Sequence, residues 1–227
     1  MALRRGMGIG EGAESVAAAT LEASPSPGRY NLLSMRTSRS QSATGHTIAL
    51  ARHPTTPSSA VRAIEVEVCR AGGTAIQLSY ALKGDIAGVL LSVGESARRS
   101  DKLWEHTCFE AFVAGQDDSG DYFEFNFAPS TEWAAYAFTA YRQGMRALEG
   151  AWPPRISVSH DASCLSLDAV IDLDPLPLLR NSPVLRLALS AVVEDTQRRR
   201  SYWALAHPAG KPDFHHSDGF ALTLSVE

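Results

Sequence analysis

The stretch WEHTCFEAFVAGQDDSGDYFEFNF, residues 104–127, contains two runs in which apolar and polar side chains alternate. Between the runs lies GQDDSG, a polar segment made of residues that favour turns. Because successive side chains of a β-strand point to opposite faces of the sheet, the two runs predict a β-hairpin with one apolar face. That face, which we expect in the core, consists of Phe109, Ala111, Val113, Phe123, Phe125 and Phe127.

The other face of this hairpin combines aromatic rings with carboxyl and amide groups. If the turn is centred near Asp117, Glu110 lies opposite Glu124. The same register places Cys108 opposite Asn126. The full face contains Trp104, His106, Cys108, Glu110, Phe112, Tyr122, Glu124 and Asn126.

Two interpretations of this polar and aromatic face are open. The C–H patches of a sugar ring stack on tryptophan and tyrosine, while carboxylate and amide groups bind hydroxyls directionally, so the face suits a carbohydrate. Alternatively, a loop covers the face and its polar groups are satisfied locally. A compact Cys-His-Glu metal site is disfavoured, because side chains two apart on a strand stand roughly 6.5–7 Å from each other.

The period-two alternation recurs along much of the chain. It is clear in VRAIEVEVCR, residues 61–70, and in TAIQLSYALKG, residues 74–84. Similar runs occupy residues 165–173, 185–190 and 220–226, and helical periodicity is almost absent. These patterns predict an all-β fold, an antiparallel β-sandwich or barrel.

The composition limits the fold classes and the binding partners that are expected for this chain. The 227 residues are 44% hydrophobic and 20% charged, which suits a single domain of this type. The formal net charge of −4 and a single short basic run, residues 198–200, argue against a nucleic-acid partner. Three widely spaced cysteines predict neither a disulfide framework nor a zinc knuckle.

The first 45 residues differ from the rest. They are rich in Ala, Ser, Gly and Pro, and we expect a disordered segment before a domain at residues 46–227. A translation start at Met35, with the preceding residues a gene-start error, is the alternative. No run reaches the ~20 apolar residues of a membrane span, and no continuous apolar run follows Arg4 and Arg5 as in a secretory signal. We therefore expect no membrane partner and a cytoplasmic location.

Three blocks of the chain resemble a known family. They are LWEHTCFEAFV (103–113), YFEFNFAPSTEWAAYAF (122–138) and SYWALAHPAGKPDFHHSDGFALTL (201–224). These blocks look like the DOMON-like domain proteins of bacteria, relatives of family 9 carbohydrate-binding modules. The resemblance runs from about residue 47 to the C-terminus, and it implies an immunoglobulin-like β-sandwich whose relatives bind sugars or haem.

The resemblance also implies site residues. Trp104 and Glu110 match the strand from which family 9 modules present a ligand-contacting carboxylate, and Trp133 lies in the adjoining block. We therefore predict a non-catalytic domain that binds a small ligand, above all a carbohydrate, with the tryptophans as stacking surfaces. The expected ligand-binding residues are Trp104, His106, Glu110, Glu124, Asn126, Trp133 and Trp203.

A redox-type domain that binds haem or a metal ion is the first alternative, although we expect no cofactor. The segment at residues 203–220 is rich in imidazoles and carboxylates, which suit zinc or iron. Its prolines and glycines instead predict a structured loop that closes over one edge of the sandwich, beside Trp104. Haem would require axial ligands, for which Met145 with His106 or His207 is available. The candidate metal ligands are His207, Asp213, His215, His216 and Asp218.

Two further alternatives concern the hairpin face itself. Glu110 and Glu124 could form the carboxylate pair of a glycoside hydrolase, because facing residues have Cβ atoms about 5 Å apart and retaining enzymes separate their carboxyl groups by about 5–5.5 Å. Alternatively, the aromatic face could be a protein-docking patch. The oligomeric state is left open.

Overall fold

The computed structural model describes residues 46–225, except residues 73, 93, 95, 96, 118 and 149–152. The predictions for residues 1–45 lie outside the described residues. The described part contains one helical turn, α1 (Pro177–Arg180), and short 3-10 helices at Ile86–Gly88, Leu103–Glu105 and Ser217–Gly219. Its strands are β1 (His46–Arg52), β2 (Val61–Ala71), β3 (Ala75–Gly84), β4 (Cys108–Ala114), β5 (Tyr122–Phe127), β6 (Trp133–Phe138), β7 (Arg146–Ala147), β8 (Arg155–His160), β9 (Cys164–Asp172), β10 (Val184–Glu194), β11 (Arg200–Ala204) and β12 (Leu222–Ser225).

The strands form one long antiparallel sheet that folds back on itself. Its order is β7-β6-β5-β4-β10-β11-β1-β2-β3-β9-β8, and β12 pairs with β10. Strand β1 joins the two halves, because residues 46–50 pair with β2 and residues 51–52 pair with β11. The halves form two layers of a β-sandwich, which confirms the predicted fold class.

The core lies between the two layers. In β2, Ile64, Val66 and Val68 are fully buried, because alternate side chains of the strand share one face. From the facing layer, Phe109 packs against Tyr80 with ring centroids 5.0 Å apart. All six residues predicted for the core face of the hairpin belong to this apolar cluster: Phe109, Ala111, Val113, Phe123, Phe125 and Phe127.

Strands β4, β5 and β6 are buried on both faces. One face of each strand belongs to the core. The other contributes to a second apolar cluster, which includes Phe112, Tyr122, Tyr136 and Phe138. Burial of apolar side chains of this size stabilises the folded state, so a segment is required to cover the outer side of this layer.

Residues 205–221, the cover loop, supply part of this covering. The loop leaves β11 and returns as β12, and both strands pair with β10. Its residues Phe214 and Phe220 pack against the second cluster. Within the part of the chain that the structure describes, no helix has the length and apolar character needed to cross a membrane.

Candidate functional site

The candidate site lies on the outer face of the layer that contains β4 and β5. Glu110 projects from β4, and Glu124 and Asn126 project from β5. These three polar side chains are 2%, 4% and 0% exposed, respectively. Burial of two carboxyl groups so close together costs free energy, and such arrangements are concentrated at functional sites.

The register of the hairpin differs from the one that the sequence suggested. Glu110 lies opposite Asn126, and Phe112 lies opposite Glu124. The predicted pairing of Glu110 with Glu124 was therefore wrong by two residues, and so was that of Cys108 with Asn126. The reason is that the connection is centred one residue later than Asp117, and each shift of the centre by one residue moves the pairing by two.

The hydrolase alternative assumed that Glu110 and Glu124 face each other, and the observed register does not support this. Glu110 and Glu124 are diagonal neighbours rather than facing residues. Diagonal pairs have Cα atoms about 7–8 Å apart and Cβ atoms somewhat closer, compared with about 4.5–5.5 Å between the Cβ atoms of facing residues. The separation expected of a retaining carboxylate pair therefore no longer follows from strand pairing.

His215 of the cover loop packs directly onto this face. Its imidazole lies among three rings, with centroid distances of 5.0 Å to Phe112, 5.2 Å to Phe138 and 5.9 Å to Tyr122. All three contacts are edge-to-face, a favourable geometry for aromatic groups. The loop is therefore packed onto the sheet and does not merely pass above it.

Asp213 anchors the cover loop to the connection between β6 and β7. Its carboxylate accepts a hydrogen bond from Arg142 Nη2 at 2.7 Å and another from the Tyr141 hydroxyl. It also accepts the backbone N–H of His215 at 3.1 Å. Arg142 has a φ of 54°, a left-handed conformation that is uncommon for a residue with a side chain and occurs often at functional sites.

A cavity of about 270 Å³ remains between the sheet and the cover loop. Glu110 and Glu124 lie in its floor. Aromatic side chains form much of its wall, and two arginines also line it. The residues concerned are Trp104, Tyr202 and Phe214 for the aromatic wall, and Arg142 and Arg200 for the cations.

The two carboxyl groups have different environments. Burial raises the pKa of Glu110 well above its usual range, and the charge of Glu124 raises it further, against a hydrogen bond donated by Ser190 Oγ at 3.2 Å. Burial raises the pKa of Glu124 to about 7, opposed by a 2.7 Å hydrogen bond from Asn126 Nδ2 and by the positive charge of Arg142. The surroundings of Glu110 therefore favour its protonated form, and Glu124 is balanced between its two states near pH 7.

His215 connects this pair to a tyrosine. Its Nε2 lies 3.9 Å from Glu124 Oε2, and its Nδ1 shares a 2.9 Å hydrogen bond with the Tyr122 hydroxyl. That hydroxyl also accepts the backbone N–H of Arg142 at 3.2 Å. Burial lowers the pKa of His215 to about 4, assisted by the charge of Arg142 and opposed by Asp213. The imidazole is therefore neutral at physiological pH.

The structure brings together some of the predicted site residues and separates others. Trp104 lines the cavity and makes an edge-to-face contact with Tyr136 at 5.8 Å, although it lies in a 3-10 helix before β4 and not in the strand. His106 does not line the cavity. Its Nδ1 lies 2.7 Å from Glu194 Oε2, and its side chain is largely exposed.

Trp133 and Trp203 were expected to stack on a ligand, but both lie in the core. Trp133 pairs with Phe127 and therefore shares its inward face. Trp203 pairs with Ala191, another core residue, and its indole N–H donates to Ser201 Oγ at 3.1 Å. Strand alternation thus removes both tryptophans from the cavity.

Several cavity residues were not among the expected sugar-binding residues, although Met145 was considered as a haem ligand and His215 as a metal ligand. Arg142 and Met145 lie between β6 and β7, Tyr202 lies on β11, and the cover loop adds Phe214 and His215. The available signal was the concentration of aromatic and histidine residues at positions 202–216, together with the expectation that this loop closes near Trp104.

The residues considered for a metal ion or haem do not converge. His207 Nε2 lies 2.8 Å from the carbonyl of Ala51, and His216 Nδ1 accepts the backbone N–H of Asp218 at 3.2 Å. Met145 lines the cavity, but His106 and His207 do not. In the described ranges, no three His, Cys, Asp or Glu side chains form a group that could hold a metal ion.

Comparisons with known proteins identify the fold but not a family. No family model matches the sequence, and no curated protein matches it. A solved structure from Bacteroides uniformis, described as a candidate carbohydrate-binding protein, has a TM-score of 0.59 and 16% identity over 81% of this chain and 87% of that chain. This chain and that protein share a fold.

Family 9 carbohydrate-binding modules from Caldicellulosiruptor kristjanssonii are more distant structural matches. The complex with glucose has a TM-score of 0.45 and 10% identity, over 76% of this chain and 80% of the module. The complex with cellotriose has a TM-score of 0.43 and 10% identity, over 75% of this chain and 82% of the module.

Proposed function

We propose that the cavity binds a carbohydrate, one sugar ring at a time. The observation that carries this proposal is the combination of two buried carboxyl groups, Glu110 and Glu124, with the Trp104 indole around one small cavity. The Bacteroides uniformis protein with the same fold is described as a candidate carbohydrate-binding protein, which supports the proposal. Membership of the DOMON-like proteins is part of this proposal.

The size of the cavity sets the size of the ligand. Its volume of about 270 Å³ lies just below the range of roughly 300–1,000 Å³ that is usual for small-molecule sites. A single pyranose ring is a small ligand on this scale, whereas an extended chain would have to leave the cavity through its mouth. The expected ligands are therefore monosaccharides or the terminal unit of a longer saccharide.

The chemistry of the lining suits sugar hydroxyls. A protonated Glu110 both donates and accepts hydrogen bonds, and an ionised Glu124 accepts them strongly. Trp104 is only partly buried, so its indole has surface available for the C–H face of a sugar ring. One neutral and one ionisable carboxyl group can therefore bind hydroxyls of different orientation on the same ring.

The experiment is a calorimetric screen of D-glucose, D-galactose, D-mannose, D-xylose, cellobiose and maltose. We expect binding of at least one monosaccharide, weakened by Trp104→Ala and by Glu110→Gln. The matched control is Glu105→Gln, which makes the same substitution at a largely exposed carboxylate next to Trp104. Absence of binding by every sugar, or equal affinity in wild type and both site variants, contradicts the proposal.

The alternatives give different results with the same protein. Haem would show a Soret band, and a metal would appear in elemental analysis and be lost in His215→Ala. A hydrolase would cleave aryl glycosides in a manner abolished by Glu110→Gln. An interaction module would self-associate in a manner weakened by Trp104→Ala. Each of these results would replace carbohydrate binding as the proposed function.

A further inference from the structure

The contacts of Glu110 and Glu124 are unusual for a site that only binds neutral hydroxyls. The contacts of the Glu110 carboxyl include a hydroxyl, Ser190 Oγ, and the contacts of Glu124 include Asn126 and His215. The positive charge of Arg142 acts on Glu124, but the guanidinium of Arg142 is bound to Asp213. A fold gains no stability from an acid pair buried in this way, because ionisation of either carboxyl is penalised by desolvation.

The hydrogen bonds give the two carboxyl groups complementary roles. Asn126 donates to Glu124, and His215 Nε2 lies on the side of Oε2, so the surroundings of Glu124 favour its role as a proton acceptor. Glu110 lies deeper and beside the charge of Glu124, so its surroundings favour retention of its proton. Two neighbouring carboxyl groups with such different hydrogen-bond partners can act as a general acid and a general base.

We propose that the cavity interconverts the α and β anomers of a reducing sugar, with Glu124 as general base and Glu110 as general acid. This inference rests on the proposed function, because it requires the sugar ring to enter the cavity. The reaction fits a cavity of one-ring size, since it moves protons between two oxygens bonded to the same carbon. It needs neither a second substrate nor a cofactor.

The proton transfers balance within the pair. Glu124 takes the proton of the anomeric hydroxyl as the C1–O1 double bond forms and the C1–O5 bond breaks, and Glu110 gives its proton to O5. The open-chain aldehyde then rotates about its C1–C2 bond. Ring closure on the opposite face returns the O5 proton to Glu110 and the Glu124 proton to O1, so both carboxyl groups end in their starting states.

The side chains of Asn126 and His215 flank the carboxylate of Glu124. Asn126 Nδ2 donates a 2.7 Å hydrogen bond to the carboxylate, and the imidazole of His215, held by the Tyr122 hydroxyl, lies 3.9 Å from the other carboxylate oxygen. Because the imidazole is enclosed by Phe112, Phe138 and Tyr122, it has little freedom to rotate. The preorganised base then needs little rearrangement during the reaction.

The test is polarimetry of freshly dissolved α-D-glucose and α-D-galactose with catalytic amounts of the full chain. We expect the rotation to reach its equilibrium value faster than in buffer. Glu124→Gln and Glu110→Gln should each reduce the enzymatic rate by about 100-fold or more, the range of general acid–base contributions. Trp104→Ala should raise KM more than it lowers kcat, and Glu105→Gln should leave both unchanged.

Separate measurements distinguish failure of this inference from failure of the proposed function. A sugar that binds by calorimetry but equilibrates at the buffer rate overturns anomer interconversion and leaves carbohydrate binding intact. Absence of binding by every sugar overturns both. Thermal unfolding of each variant at the assay pH shows whether the loss of rate reflects lost chemistry or lost structure, and a folded variant with wild-type rate overturns the role of the substituted carboxyl.

Discussion

Replacement of Glu124 by glutamine should change how the stability of the protein depends on pH. The folded protein holds the proton of Glu124 until about pH 7, whereas an exposed glutamate ionises near 4.5. Since the folded-state pKa lies above the unfolded value, ionisation favours the unfolded state. Wild-type stability should therefore be highest at and below about pH 4.5, as far as this group is concerned, and should fall as the pH rises through 7.

The magnitude follows from the difference between the two pKa values. Each difference of one in pKa corresponds to about 1.4 kcal/mol, so the change from 4.5 to about 7 corresponds to about 3 kcal/mol of lost stability above pH 7. Glutamine has almost the same shape and retains an oxygen that can accept the hydrogen bond from Asn126. Glu124→Gln should therefore gain about 3 kcal/mol relative to wild type between pH 4.5 and pH 8.5, or roughly 6–12 °C in Tm.

The assay is urea denaturation of both proteins at intervals from pH 4.5 to pH 8.5, with Glu105→Gln as the control. Glu105 is largely exposed, so its substitution should shift stability by less than about 0.5 kcal/mol at every pH. Glu110 adds a penalty of the same sign, which becomes smaller once the neighbouring charge is removed, and this strengthens the expected gain. If the curves of wild type and Glu124→Gln run parallel across this range, the reasoning about the buried acid pair is refuted.

Four further predictions concern the cavity, the core, the cover loop and a buried cysteine. Trp104→Ala should weaken binding of the sugar found in the screen by about 1 kcal/mol, a rise in Kd of about fivefold, measured by calorimetry. Trp133→Ala should lower the free energy of unfolding by about 3–5 kcal/mol in urea, because it opens a cavity in the core, while the folded fraction keeps its sugar affinity. Asp213→Asn should speed hydrogen exchange in the cover loop but not in β10, because it weakens the contact with Arg142; equal exchange in both proteins contradicts this anchor. Cys108 is fully buried and its pKa is raised by burial, so a thiol reagent should modify it only after unfolding.

The fold could be predicted from the sequence because alternation is a local signal. The three phenylalanines of β5 repeat every second residue, and this period alone assigned them to the core. The same signal placed Glu110, Glu124 and Asn126 on the opposite face. The pairing register is not a local signal, because it depends on the geometry of the connection between β4 and β5. An error of one residue in the centre of that connection was enough to misplace Glu110 relative to Glu124.

The site was harder to predict because much of its lining comes from distant parts of the chain. His215 reaches Tyr122 across 93 positions, and no local pattern encodes that contact. Two of the tryptophans, in contrast, were expected at the site but lie in the core. Trp133 and Trp203 were selected for their chemistry, whereas the direction of each side chain is set by strand pairing, which turns both into the core.

The attachment of the cover loop to β10 has a consequence for the evolution of the site. The loop leaves at Ala204, which pairs with Ser190, and returns at Leu222, which pairs with Leu187. These two positions on β10 are held about 10 Å apart by the rise of the strand. Insertions, deletions or an entire replacement loop can therefore be accepted between fixed ends without a change in strand register. The sandwich is then a reusable frame, and exchange of this one segment between related proteins offers a direct route to new ligand preferences.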